Sequence, residues 1–294
     1  AKATGTRWLI DVSNRGDTAP TMAAAGLGGV VQVECLGVDE ARWGPQLAAA
    51  RGRAGAAGVA TRPTAHSPIS CAPALLSAAL GRAPGSLGGG ASGARGPAAT
   101  IHVDEDPADA LLLVDRAGPW ARFHDRLGHG WRAGLGRGES GVAVLDALGL
   151  LGPRLGLVHG VHWGPADRAR VAASGAVVVL CPRSNLHIGG VLPDVPALLA
   201  AGVPVAMGTD SLASAPDMDL LADAAALTLA FPEVAPEAWL AAMTSGGAGL
   251  LGGAEAGAIR AGTSPGLLHV ALPQTEAPLA LLFDGTRWAR EWIS

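Results

Sequence analysis

Short apolar segments rich in Val, Ile and Leu recur along the chain, and stretches long enough for a helix separate most of them. The best of these segments are continuously apolar, as expected for parallel strands covered on both faces. Strands that alternate with helices predict an α/β fold with a parallel sheet. The seven predicted strands are 8–12, 29–36, 58–64, 99–104, 155–161, 176–181 and 203–208. The predicted helices are 40–52, 73–80, 141–148, 165–174 and 195–201.

Polar residues stand where several of these strands end. They are His66, His102, His159, Asn185 and Asp210. A (β/α)8 barrel brings the carboxyl ends of all its strands to one face, where the active sites of that fold lie. An open, doubly wound sheet accommodates seven strands but spreads such ends along a wide edge. The polar positions therefore favour a TIM-type barrel, although only seven of its eight strands are visible in the sequence.

Two regions depart from the alternation of strands and helices. Residues 81–97 are Gly-rich and of low complexity. They stand where a helix should follow strand 58–64, counted as the fourth strand of the barrel, so we expect that helix to be short or partly melted. From residue 265 the segments GLLHVAL, PLALLFDG and TRWAREWI predict three strands. The sequence thus predicts a barrel over 1–264 and strands of an accessory β-domain over 265–294.

The composition narrows the classes of function. Hydrophobic residues make up 49% of the 294, which permits a sizeable core and excludes a disordered chain. The net charge of −4 gives no basic footprint for nucleic acid. No apolar run reaches the roughly 18 residues that suggest a membrane span. Three cysteines without CxxC spacing, and no visible signal peptide, predict a cytoplasmic protein without disulfides.

The first candidate for chemistry is the segment HVDE at the end of a predicted strand. It places His102 three residues before Glu105. A metal-ligating imidazole beside a carboxylate that moves protons suits hydrolysis. The alternative is a histidine near solvent followed by an acidic loop that only binds water.

Each polar residue at the other strand ends also has a structural interpretation beside the chemical one. His159 can ligate a metal or be a hydrogen-bonded core histidine. Asp210, in GTDS, can ligate a metal, take up a proton or cap the next helix. Cys181 has no obvious base partner, which predicts a structural role. His124, His129 and Trp131 either line a pocket or belong to a polar surface excursion within 106–139.

Taken together, the motifs resemble those of the amidohydrolase superfamily. The segments AHSPISCAPALL, IHVDE, LVHGVHW, CPRSNLHIGG and AMGTDSLAS occur in the family's order and at strand ends. They are similar to its deaminase and chlorohydrolase branch, which includes S-adenosylhomocysteine, methylthioadenosine and guanine deaminases and triazine hydrolases. The resemblance covers about residues 6–266, and the block from CPRSN to GTDS is its most specific part.

The resemblance implies a hydrolase in which metal-bound hydroxide displaces ammonia, or another leaving group, from a heteroaromatic or purine-like ring. His102 and Asp210 would ligate the metal, and Asp210 would also handle a proton. His159 would ligate the metal or polarise the substrate, and Glu105 would be the general acid and base. The implied substrate contacts are His66, Ser184, Asn185 and Ser211. The implied cofactor is one divalent metal ion, zinc first, with iron or nickel as alternatives.

One expected motif is missing. The family's first barrel strand carries a His-x-His pair of metal ligands, and this sequence contains no such pair. The segment can be absent from the sequence given, supplied by another chain, or lost in a degenerate relative. The sequence therefore leaves two functions open, a metal-dependent hydrolase and a catalytically inactive barrel that binds or assembles. The expected partner is a small-molecule substrate rather than nucleic acid or a membrane, and a homo-oligomer or a complementing N-terminal segment stays open.

Overall fold

The computed structural model describes residues 1–81, 98–128, 130–252 and 257–293. Parallel strands alternate with helices over most of this length. The strands are β1 Trp8–Ser13, β2 Gly28–Cys35, β3 Val59–Ala65, β4 Ala99–Val103, β5 Leu155–His159, β6 Val177–Leu180, β7 Val205–Met207, β8 Leu267–Val270 and β9 Arg290–Ile293. The helices are α1 Ala19–Ala24, α2 Glu40–Arg51, α3 Pro73–Leu80, α4 Pro107–Asp115, α5 Gly118–Leu127, α6 Trp131–Gly134, α7 Gly141–Ala147, α8 Pro165–Ser174, α9 Pro182–Ile188, α10 Val195–Ala200, α11 Leu220–Ala230, α12 Pro236–Met243, α13 Ser245–Leu251 and α14 Pro278–Leu282.

Two parallel sheets carry the architecture, with strand orders β1-β2-β3 and β4-β5-β6-β7. Hydrogen bonds from β2 and from the end of β3 to the β4 region join the two sheets. The buried Gln32 side chain donates to the carbonyl of Ala98 and accepts from the backbone and hydroxyl of Thr100. The amide of His102 donates to the carbonyl of His66 at 3.0 Å. The carboxyl ends of β3 and β4 therefore lie side by side, and the predicted α/β fold with parallel strands is confirmed.

Local chemistry explains why the elements begin where they do. The side chains of Asp39, Asp106 and Ser140 accept hydrogen bonds from the first turns of α2, α4 and α7. Each satisfies a backbone amide that has no partner within its helix. The strands are then covered by a core that includes the fully buried side chains of Leu75, Ile101, Leu157, Leu180 and Trp239.

The predicted helices over 73–80 and 165–174 have the predicted bounds, and those over 40–52, 141–148 and 195–201 end one residue earlier than predicted. The predicted strand 155–161 ends earlier, at His159, because that residue has φ 77° and turns the backbone out of the sheet. Residues 82–97 lie outside the described part of the chain, so the predicted partly melted helix there is not tested. Within the described part, no helix is long and apolar enough to cross a membrane.

The strand predicted over PLALLFDG is wrong. This segment forms α14, and Leu279, Leu282 and Phe283 face the main core. Their spacing of three and four residues is that of a helix face, and Pro278 suits a first helical turn. A short apolar run does not by itself distinguish a strand from a helix. The flanking strands β8 and β9 are found as predicted, and they pair with each other in antiparallel orientation. The domain boundary at 264 stays a prediction.

The region 106–139, which the sequence left unassigned, is largely helical and contains α4, α5 and α6. His124 is buried, and its Nε2 hydrogen bonds with the carbonyl of Ile69 at 2.8 Å. Trp131 is also buried, and its indole donates to Asp125 at 2.9 Å. The prediction that these two side chains belong to a polar surface loop is therefore wrong. His129 lies outside the described residues.

Candidate metal and active site

Three imidazoles form a row across the carboxyl ends of β3, β4 and β5. The ring of His66 lies 5.2 Å from that of His102, and His102 lies 5.5 Å from His159, measured between ring centroids. The parallel arrangement of the strands explains the row, because each histidine stands at or next to the end of its strand. The structure thus brings these three predicted site residues together.

The first group with metal-ligand spacing is Glu105, His159 and Asp210. One ligand atom from each residue lies within 4.8 Å of the other two. Nδ1 of His159 is 3.5 Å from Oε1 of Glu105 and hydrogen bonds with the side-chain amide of Asn185 at 2.9 Å. These four residues were all predicted for the site, and they come from the ends of β4, β5 and β7 and from the start of α9.

Two hydroxyls hold the carboxylate of Asp210. Ser184 donates to its Oδ2 at 2.6 Å, and Ser214 donates to the same atom at 2.8 Å. Ser184, a predicted substrate contact, is therefore fully engaged with its protein neighbours and buried. Ser211, the other predicted serine, is exposed, and its Oγ accepts from the amide of Ala213. Their contact with a substrate stays a prediction.

The second group is Glu34, His66 and His102, whose ligand atoms also lie within 4.8 Å of one another. Nδ1 of His102 is 3.2 Å from the carbonyl oxygen of His66 and 3.6 Å from Oε1 of Glu34. Nδ1 of His66 is 2.7 Å from the hydroxyl of Ser70. Sequence reasoning missed Glu34. The available signal is its alternation with Gln32 inside an otherwise apolar strand, which places both polar side chains on one face.

Burial and charge set the protonation of this region. Burial, followed by the neighbouring His102, lowers the pKa of His159 to about 3. Burial also lowers the pKa of His66, against the opposing effect of Glu34. Both imidazoles are therefore neutral at pH 7 and offer a lone pair. Burial and the charge of Asp210 raise the pKa of Glu105, which favours a bound proton on that carboxylate.

The pKa of Asp210 moves in the opposite direction. Its burial alone would raise that pKa, but the hydrogen bonds from Ser184 and Ser214 and the nearby rings of His159 and His102 lower it. One carboxylate that stays ionised thus faces one that takes up a proton more readily. Such divergence between neighbouring acids is typical of acid–base sites.

The backbone is strained at three strand ends of the site. Asp104, His159 and Asp210 have φ values of 50°, 77° and 57°. Few residues other than glycine adopt this region, and they cluster at functional sites. Asp104 is anchored there because its carboxylate accepts from the amides of Gly141 and Val142 and from the indole of Trp163. These bonds fix the loop that carries Glu105.

The three cysteines do not belong to the reactive part of the site. Cys35, Cys71 and Cys181 are buried and free. Burial, with nearby carboxylates, raises the pKa of Cys181 well above its ordinary value, so its thiol stays protonated. This agrees with the predicted structural role.

The residues present fit a divalent metal. Oε1 of Glu34 and Oε1 of Glu105 are buried and have no hydrogen-bond partner within the described part of the chain. A buried carboxylate oxygen without a partner is unfavourable unless something else binds it. Neutral imidazoles and carboxylates are donors that zinc, iron and nickel accept.

Comparisons with known proteins identify the family to which the chain is similar. Residues 46–287 match the Amidohydrolase family. Over 160 residues the sequence is 39% identical to aminodeoxyfutalosine deaminase of Deinococcus radiodurans. This aligned region covers 52% of this chain and 38% of that protein. The chain thus matches well under half the length of that curated relative.

Solved structures show the same fold. Helicobacter pylori aminofutalosine deaminase, in complex with methylthio-coformycin, superposes with a TM-score of 0.78 at 17% identity, covering 96% of this chain and 68% of that one. Atrazine chlorohydrolase of Arthrobacter aurescens, complexed with zinc, superposes with a TM-score of 0.71 at 18% identity. The superposition covers 96% of this chain and 65% of that one.

Proposed function

The chain belongs to the amidohydrolase family, and we propose that its protein is a metal-dependent hydrolase that deaminates a heteroaromatic, purine-like substrate. The family match confirms the resemblance to amidohydrolases that the sequence motifs indicated. The observation that carries the proposal is the convergence of Glu105, His159 and Asp210, whose donor atoms lie within 4.8 Å of one another, so that a carboxylate suited to proton transfer stands beside two proposed metal ligands. The name of the Deinococcus relative supplies a first candidate substrate, aminodeoxyfutalosine.

We propose that His102, His159 and Asp210 hold the metal, with zinc as the first candidate. The low pKa of His159 supports this assignment because a neutral ring has a lone pair to donate. The two serine hydroxyls on Asp210 keep its carboxylate ionised and oriented. When bound, the metal supplies hydroxide at neutral pH by lowering the pKa of water. The zinc-bound Arthrobacter structure supports the choice of metal.

Glu105 is proposed to move protons. Its raised pKa and its Oε1, which has no hydrogen-bond partner among the described residues, suit a carboxylate that relays the two protons of the attacking water in turn, one to the ring nitrogen and one to the leaving amino group. In the net reaction a C–O bond forms, the C–N bond breaks and ammonia leaves. Asn185 is proposed to orient His159, and the His66 ring, whose Nδ1 lies 2.7 Å from the hydroxyl of Ser70, is a proposed substrate contact. The deaminase relative does not favour the alternative of an inactive barrel.

Ammonia release tests this proposal. The zinc-loaded protein would be assayed with aminodeoxyfutalosine and with other aminopurines such as adenosine and guanine. We expect turnover of at least one substrate in the wild type and its loss in Glu105→Gln. The matched control is Glu40→Gln, because Glu40 is exposed at the start of α2 and belongs to neither group with metal-ligand spacing. Wild-type turnover in Glu105→Gln, with both variants folded, would contradict the role of Glu105.

A further inference from the structure

We infer that Glu34 is a positioning residue. Together with the backbone carbonyl of His66, it holds the proton of His102 on Nδ1 and leaves the Nε2 lone pair to bind the metal. This inference rests on the proposed function, because it takes His102 as a metal ligand.

The surroundings of His102 Nδ1 carry the argument. Among the described residues, two acceptors lie near it, the carbonyl oxygen of His66 at 3.2 Å and Oε1 of Glu34 at 3.6 Å. A carbonyl oxygen and a carboxylate oxygen accept hydrogen bonds, so the arrangement favours a proton on Nδ1. In a neutral imidazole the lone pair is then on Nε2. Metal-ligating histidines commonly donate their other N–H to a carboxylate or carbonyl in this way.

Glu34 is itself held in place. Asn14 donates to its Oε2 at 2.8 Å, and β2 is paired on both sides, by β1 and β3. The side chain is only 9% exposed. Its other oxygen, Oε1, is buried without a hydrogen-bond partner in the described residues and faces His102. One oxygen is therefore anchored, while the other is placed to accept the N–H of the imidazole.

The same three residues suggest a competing interpretation. Glu34, His66 and His102 have the spacing of a metal site of their own. Binding there through Nδ1 would require His102 to lose the proton that its two acceptor neighbours favour. We therefore favour the positioning role, and the number of metal ions per chain separates the two interpretations.

The first experiment measures the tautomer of His102 directly, by ¹⁵N NMR of the imidazole rings in the metal-free protein at neutral pH. We expect the proton on Nδ1 in the wild type, and a larger share of the Nε2-protonated form in Glu34→Gln. A wild-type ring protonated on Nε2 would overturn the inference whether or not the protein binds zinc.

The second experiment measures zinc affinity by competition with a chelator, together with the visible spectrum of the cobalt-substituted protein. We expect Glu34→Gln to bind zinc roughly 10- to 100-fold more weakly and to alter the cobalt spectrum, because second-sphere partners have effects of this size. Glu34→Asp should recover part of the affinity, and Glu40→Gln should match the wild type.

Unchanged affinity and spectrum in a folded Glu34→Gln would overturn the positioning role. Two zinc ions per chain, one of them lost in Glu34→Gln, would instead make Glu34 a ligand and also overturn it. A wild type that binds no zinc would contradict the proposed function itself, and with it this role.

Discussion

The hydroxyl of Ser184 donates a hydrogen bond to Oδ2 of Asp210 at 2.6 Å. This bond joins the CPRSN segment at the start of α9 to the GTDS segment after β7. Ser214, in the turn four residues beyond Asp210, donates to the same oxygen at 2.8 Å. Two separate stretches of sequence thus fix one carboxylate, and their hydrogen bonds stabilise its ionised form.

We predict that Ser184→Ala weakens zinc binding about 10-fold without unfolding the protein, because Asp210 loses one of its two hydroxyl donors. Combining it with Ser214→Ala should weaken binding further. Chelator competition measures both effects. The control is Ser77→Ala, an exposed serine on α3. Zinc affinities that are equal in all variants would show that these hydroxyls do not act on the site.

Asp104 supports the loop that carries Glu105. Asp104→Ala should reduce the free energy of unfolding by about 3 kcal/mol, since three buried donors lose their acceptor. The positive φ adds strain for alanine, whereas asparagine tolerates it. Asp104→Asn should therefore cost less, about 1 kcal/mol, because one acceptor oxygen remains. Urea denaturation at neutral pH measures both values, and equal losses would contradict this account.

Asp109 should make stability depend on pH. Burial, with the nearby charge of Asp104, raises its pKa to about 7. The folded state then binds a proton that the unfolded state has already released, so this group destabilises the fold as pH rises from about 4 to about 7. Asp109→Asn removes the effect. We expect the variant to gain about 2 kcal/mol over the wild type between about pH 5 and about pH 8.

Urea denaturation at those two pH values checks this prediction. A difference between variant and wild type that is the same at both values would mean that Asp109 titrates normally in the folded protein.

The C-terminal strand β9 is tied to the chain's main body by one buried ion pair. Arg290 donates to both carboxylate oxygens of Asp219, at 2.8 and 2.7 Å, and to the carbonyl of Thr4. The two side chains are 10% and 4% exposed. Arg290→Met should cost about 3 kcal/mol, because it leaves a buried carboxylate unpaired.

A double-mutant cycle with Asp219→Asn isolates the pair. The double variant should lose less stability than the sum of the single variants, since the second change removes a charge that the first left uncompensated. Strict additivity would show that the pair contributes no coupling.

Much of the candidate site was predictable because parallel strands place their carboxyl ends at one edge. That rule alone brings His66, His102, His159 and Asp210 together. Asn185 followed from the motif after β6, and it does contact His159. The order of the strands did not predict which side chains would contact each other. His102 lies next to Glu34 and also stacks on His159.

The remaining features depend on tertiary contacts that local pattern does not encode. Glu34 stands within an apolar strand, where a single carboxylate carries little signal until the neighbouring histidine is known. The role of Ser214 depends on how the turn after Asp210 folds back. The helix α14 was mistaken for a strand because five residues are too few to separate the two periodicities.

Metal content tests the central claim most directly. The protein would be loaded with zinc, freed of loosely bound metal and analysed for zinc per chain. We predict about one tightly held ion in the wild type, and its loss in His159→Asn and in Asp210→Asn. His162→Asn should retain it, because His162 is exposed three residues beyond His159. A wild type without zinc, or zinc that both site variants retain, would contradict the account.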